Sequence, residues 1–162
     1  MVSRRSKRPG RTPVDRLRAI CLALPEATEK IAWGEPTWRV RGKLFAQLDD
    51  HHHGADHLAV WLPAPLGGQE SLIFLDRERF FRPPYVGARG WVGMRIDRSA
   101  DWAQVASLVR QAFCEVAPPR LRALIDAALP IEQEGRGRAR QSRKRSRSTW
   151  ERSAAPAPPF RS

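Results

Sequence analysis

Residues 79–93 read Arg-Phe-Phe-Arg-Pro-Pro-Tyr-Val-Gly-Ala-Arg-Gly-Trp-Val-Gly, and no regular helix forms from such a run. Pro83 and Pro84 lack backbone donors, and Gly87, Gly90 and Gly93 each weaken a helix by about 1 kcal/mol. The prolines stiffen the backbone ahead of Tyr85, the glycines permit tight turns or close approach, and Trp91-Val92 opens a strand. The run therefore specifies a built loop feeding a strand. Loops of this kind carry function more often than core positions do.

The flanking sequence supplies the elements such a loop connects. Thr12 is a helix N-cap, with Pro13 at the first helical position and Asp15 in the first turn. Val14, Leu17, Ile20, Cys21 and Leu24 follow at helical spacing, and Pro25 ends the helix. Strands are predicted over Glu29–Trp33, Thr37–Val40, Leu44–Leu48, Leu58–Leu62 and Trp91–Asp97. Arg41-Gly42-Lys43 forms a hairpin connection, 49–56 a polar loop, and Gln69–Leu75 a short helix. Trp102, Val105, Ala106, Val109, Ala112, Phe113 and Val116 mark a helix. Leu121, Leu124, Ile125 and Ala128 mark another after Pro118-Pro119. The predicted fold is α+β: an antiparallel sheet packed against an N-terminal helix and two C-terminal helices. It occupies residues 13–130, between a flexible basic segment (1–12) and an Arg/Ser/Pro-rich segment (131–162) whose composition predicts disorder.

Alternation along the strands sorts two faces. Trp38, Val40, Leu44, Ala46, Leu48, Leu58, Val60, Leu62, Val92, Met94 and Ile96 face the helices. Thr37, Arg39, Phe45, Gln47, Ala59, Trp61, Trp91, Gly93 and Arg95 face away. That second face mixes aromatic and guanidinium groups suited to stacking bases and pairing phosphates. The alternative is a second packing layer, with Phe45, Trp61 and Trp91 buried beneath residues 63–90.

Charge is distributed unevenly. The 162-residue chain carries +12, of which residues 1–13 hold +5 and residues 135–162 hold +8, leaving −1 for 14–134. Attraction to polyanions is thus concentrated in the ends, above all in Arg136, Arg138, Arg140, Arg143, Lys144, Arg145 and Arg147. That run also has the composition of a nuclear localisation sequence. Arginine outnumbers lysine 25 to 4, which reads as coding bias before phosphate recognition. Arg4-Arg5 precedes no apolar segment, so export is not expected. No stretch of about 18 apolar residues is present to span a membrane. Cys21 and Cys114 fall on apolar helical faces and read as buried thiols, which suits a reducing, cytoplasmic setting.

Four motifs occur in an order that resembles the MmcQ/YjbR family of small bacterial proteins. They are Trp33-Gly34-Glu35-Pro36-Thr37-Trp38-Arg39-Val40-Arg41-Gly42-Lys43-Leu44-Phe45-Ala46, Ala64-Pro65-Leu66-Gly67-Gly68-Gln69-Glu70, the 79–93 run, and Asp101-Trp102 opening a helix. The resemblance spans roughly Pro13–Leu129. It implies a YjbR-like fold, similar to that of secretion chaperones, and a DNA-binding role attached to a double-wing shape. It implies no catalytic motif.

With the residues, this resemblance nominates DNA as the partner. Arg39, Arg41 and Lys43 sit at a wing-like hairpin tip, Arg82, Tyr85 and Arg89 on the Pro-Pro-Tyr loop, and Arg143, Lys144 and Arg145 in the C-terminal run. A solvated hairpin, and a Tyr85 packed on the sheet edge, are the plain readings of the same residues. The alternative function is a protein- or peptide-binding module without a nucleic-acid role. No cofactor is expected. His51-His52-His53 and His57 lie among Asp49, Asp50 and Asp56, but consecutive residues rarely converge on one ion, so no metal site is expected. Ser71, Ser99 and Cys114 lack a nucleophile motif, Glu26, Glu29 and Glu35 fit no acid/base pattern, and Gly67-Gly68 is too short for a phosphate-cradling loop; the chain reads as non-catalytic.

Overall fold

A computed structural model describes residues 12–128, apart from 53, 55 and 98. The two basic ends, with Arg143, Lys144 and Arg145, lie outside the described residues.

The helix α1 (Pro13–Leu22) starts at its predicted cap: Thr12 Oγ1 accepts from the Asp15 N–H at 3.1 Å. Four strands follow, β1 (Ala27–Ala32), β2 (Glu35–Val40), β3 (Lys43–Asp50) and β4 (Leu58–Pro63). After α2 (Gly68–Leu75) come a two-residue strand, β5 (Phe80–Phe81), a single 3-10 turn (Gly87–Arg89) and β6 (Trp91–Arg95). The helices α3 (Trp102–Val116) and α4 (Pro119–Ala128) close the fold. Asp101 caps α3 by accepting from the N–H groups of Ala103 and Gln104.

The sheet is antiparallel throughout, in the order β1-β2-β3-β4-β6-β5. Two hairpins use the same chemistry. Trp33-Gly34 (φ +53°, +82°) and Arg41-Gly42 (φ +51°, +78°) each place two left-handed residues between closing pairs, the type I′ turn whose twist matches the strands. A longer connection joins β3 to β4, and the 79–93 run forms the hairpin of β5 and β6, whose loop ends where Gly90 takes φ +86°. Sequence pattern missed β5, because two phenylalanines flanked by arginines show no alternation.

One register shift changes the expected faces. Trp38 pairs with Ala46 but Arg39 pairs with Leu44, so Phe45 is an extra residue on β3. The bulge turns Phe45 inward, where its ring meets Phe113 of α3 edge-on at 5.4 Å. It also moves Leu44 to the outer face beside Arg39. Both assignments differ from strict alternation, which assumes an unbroken pleat.

The core lies between the sheet and α1, α3 and α4. Trp38, Val40, Phe45, Ala46, Leu48, Val60, Leu62, Val92 and Met94 pack against Leu17, Cys21, Val105, Val109, Ala112, Phe113 and Leu121. Leu124, expected in the stripe of α4, is half exposed because that helix buries only Leu121 and Ile125. The outer face is closed across its middle. Trp61 is 2 % exposed, and the Phe81 ring lies on Gly93 so closely that a Cβ there would sit 2.3 Å from it. The Arg95 guanidinium stacks 5.3 Å above Phe81. This face is therefore a second packing layer and not an open platform for bases, although Phe45 is not part of it.

Candidate nucleic-acid interface

Antiparallel register brings the Arg41-Gly42 tip, the Pro63–Gly67 segment and the 82–90 loop to one end of the sheet. The six predicted side chains share that end, in different circumstances. Arg41 makes a two-pronged pair with Glu26: Nε to Oε2 at 2.5 Å and Nη2 to Oε1 at 3.1 Å. Arg120 at the start of α4 reaches the same Oε1 at 3.0 Å. The Arg41 hydrogen bonds, aided by Arg120, hold the Glu26 carboxyl below the usual carboxylate range. Arg39 donates from Nη1 to the Gly42 carbonyl at 3.3 Å and braces its own turn. Lys43 is exposed and has no ion pair or hydrogen bond among the described residues.

Arg82 and Arg89 are likewise exposed and unpaired among the described residues. They line one wall of a cleft of about 410 Å³, whose other wall is Ala64–Gly67, Gln69 and Glu70. The loop that carries them is braced. The Gln69 side-chain amide donates to the Gly87 carbonyl at 2.8 Å and to the Trp91 carbonyl. The Arg82 stem crosses Gly87, where an added Cβ would lie 2.6 Å from its Cγ and would push the stem aside. Tyr85 projects outward, at φ +62°. The arginines of the loop and the lysine of the tip thus share one end of the sheet without touching. Two strand spacings, roughly 10 Å, separate β3 from β6.

At the opposite end the histidines and aspartates grouped in the sequence meet a further partner, Glu35, that the sequence did not point to. Glu35 and Asp49, with side chains 10 % and 4 % exposed, lie where the 51–57 loop closes on the sheet. His52 Nδ1 is 2.9 Å from Glu35 Oε1, His57 Nε2 is 3.6 Å from Asp49 Oδ2, and His51 Nδ1 meets Asp50 Oδ1. Burial pushes the Glu35 carboxyl up, while the hydrogen bond to Asp50 raises His51. Next to it, Asp56, His57, Asp76, Glu78, Arg79, Arg95 and Asp97 line a cleft of about 390 Å³. Among the described residues no group of three or more His, Cys, Asp or Glu side chains is placed to hold a metal ion. His51, His52 and His57 instead pair with Asp50, Glu35 and Asp49. No spacing in the sequence links Glu35 to His52, since only the β2–β3 pairing brings them together.

Residues 22–115, more than half of the chain, match the family model YjbR. The chain belongs to the YjbR family. Its fold is also that of the Deinococcus radiodurans protein DR2400, a DUF419 protein known from a crystal structure. The likeness has a TM-score of 0.57 and 21 % identity, and covers 76 % of this chain and 96 % of that one. No curated protein matches this chain. Segments within the matched range build both walls of the arginine cleft, Ala64–Glu70 on one side and 82–90 on the other, and Trp33–Ala46 builds the hairpin tip. Among the described residues no helix is long and apolar enough to cross a membrane.

Proposed function

We propose that this YjbR-family protein binds duplex DNA through the sheet end that carries Lys43, Arg82 and Arg89. The observation that carries the reading is electrostatic. These three exposed cations have no partner among the described residues, whereas at the far end Glu35, Asp49, Asp50, Asp56, Asp76, Glu78 and Asp97 gather around Arg79, which pairs with Asp76, and Arg95, which donates to the Glu78 carbonyl. A separation of roughly 10 Å between β3 and β6 is on the scale of the ~12 Å major groove. Arg39 and Arg41 stiffen the tip, Tyr85 extends the loop surface, and Arg143, Lys144 and Arg145 add nonspecific attraction. Phosphate contacts of this kind position a protein without reading sequence. The role is one of binding, in the cytoplasm, which suits the two free cysteines.

The test is to titrate duplex DNA at 50 and 200 mM salt with the chain lacking residues 135–162, with and without Lys43→Ala, Arg82→Ala and Arg89→Ala combined. Loss of three phosphate contacts reduces the log–log salt slope by about 2.7. The reading fails if the truncated chain does not bind at low salt, or if the triple variant keeps the parent slope.

A protein-binding role is the second reading. Phe74 and Leu75 are exposed on α2, outside the arginine cleft, an apolar surface that DNA does not use. Loss of a partner on Phe74→Ser, with DNA affinity unchanged, would favour it.

A further inference from the structure

The cleft between 64–70 and 82–90 differs from a surface built only to meet a duplex. Its volume of about 410 Å³ falls within the range of small-ligand sites, ~300–1,000 Å³. Its walls are chemically distinct. The loop wall carries Arg82 and Arg89, the opposite wall is apolar through Ala64, Pro65 and Leu66, and Glu70 is the one carboxylate in its described lining. The two walls are tied together by Gln69, which reaches from α2 to the Gly87 and Trp91 carbonyls. The arginines therefore stand on a pre-organised frame, which lowers the ordering cost of binding.

Each part of that lining selects a part of a ligand. Two unpaired guanidinium groups suit a group with more than one negative charge and several acceptor oxygens, because arginine pairs such groups through two parallel hydrogen bonds. A phosphate monoester carries about −1.5 to −2 at pH 7, whereas an internal phosphodiester carries a single charge. The Glu70 carboxylate accepts hydrogen bonds from sugar hydroxyls and repels a second phosphate, so one nucleotide is favoured over a polyphosphate. The apolar wall takes the face of a base. We infer that this cleft binds a nucleotide through a terminal phosphate monoester, with Arg82 and Arg89 on the phosphate and Glu70 toward the sugar. This inference rests on the nucleic-acid reading above, whose arginines it shares. The same chemistry is offered by a 5′-phosphorylated strand end and by a free nucleoside monophosphate.

The experiment compares the full-length protein's affinity for two otherwise identical duplexes, one with 5′-phosphate and one with 5′-hydroxyl ends, with AMP, adenosine and inorganic phosphate as competitors. The 5′-phosphorylated duplex binds at least about tenfold tighter. Arg89→Ala and, separately, Arg82→Gln abolish that preference. Lys43→Ala, outside the cleft, weakens both duplexes equally and keeps it. Competition by AMP but not adenosine assigns the cleft to nucleotides in general. A preference that AMP does not reverse assigns it to strand ends. Equal affinity for the two duplexes, with Lys43→Ala still weakening both, overturns the inference and leaves duplex binding standing. AMP binding that depends on Arg82 and Arg89 without any duplex binding supports the cleft and overturns the duplex reading. Absence of both overturns both.

Discussion

Gly93→Ala tests the packing that closes the outer face of the sheet. Gly93 is buried in the middle of β6, opposite Trp61 on β4 and Phe81 on β5. Its φ lies outside the left-handed region, so alanine is not strained by the backbone itself. The obstacle is the Phe81 ring, three atoms of which lie 2.3, 2.5 and 2.7 Å from the position of the new Cβ. Carbon atoms attract best at about 3.5–4.0 Å, so the ring has to retreat by more than about 1 Å. It is flanked by His57 at 4.6 Å and by the Arg95 guanidinium at 5.3 Å, and either must move with it. Overpacking of this kind costs about 1–3 kcal/mol. For a domain of this size that corresponds to a fall in Tm of roughly 4–12 °C, read by differential scanning calorimetry. Phe81→Ala removes the obstacle, so adding Gly93→Ala to that variant costs less than about 0.5 kcal/mol. A Gly93→Ala protein that melts within about 1 °C of the parent, or the same loss in both backgrounds, refutes the reasoning.

Other outcomes follow from single residues. Lys43→Ala lowers the magnitude of the log–log salt slope for duplex DNA by about 1 at every sequence tested, as measured by fluorescence anisotropy over a salt series. Glu26→Gln lowers Tm at neutral pH. The folded carboxyl titrates below its unfolded range, so its contribution is present above that range and is lost as pH falls through the folded value. The Tm difference from the parent therefore closes below about pH 4. Glu35 has the opposite sign, because burial raises its pKa. Stability from this group is present at low pH and is lost as pH rises through the raised value, so Glu35→Gln melts higher than the parent at pH 7 and loses that advantage below about pH 4. Trp33→Asn relieves an exposed, bulky residue at φ +53° and stabilises by up to about 1 kcal/mol in denaturant unfolding.

Local signals and long-range ones divide this molecule. Thr12-Pro13, Asp101-Trp102 and the apolar spacing of α3 act within a turn or two of the chain, and each is legible because the cap or stripe lies among near neighbours. The hairpin at Arg41-Gly42 is legible for the same reason, since a left-handed glycine is a local demand. The family was likewise readable from four ordered motifs. By contrast, the inward turn of Phe45 depends on which residue of β2 faces which residue of β3, and a one-residue bulge reverses the sides that alternation gives to Leu44 and Phe45. Pairing decided the candidate site too. The sequence nominated Arg41 and Arg82 as equals. Folding gave Arg41 to Glu26, 15 positions away in the chain, and left Arg82 unpaired at the wall of a cleft. Charge can be counted along a chain. Whether that charge is free to meet a ligand depends on neighbours brought in from distant segments, and only the tertiary structure chooses them.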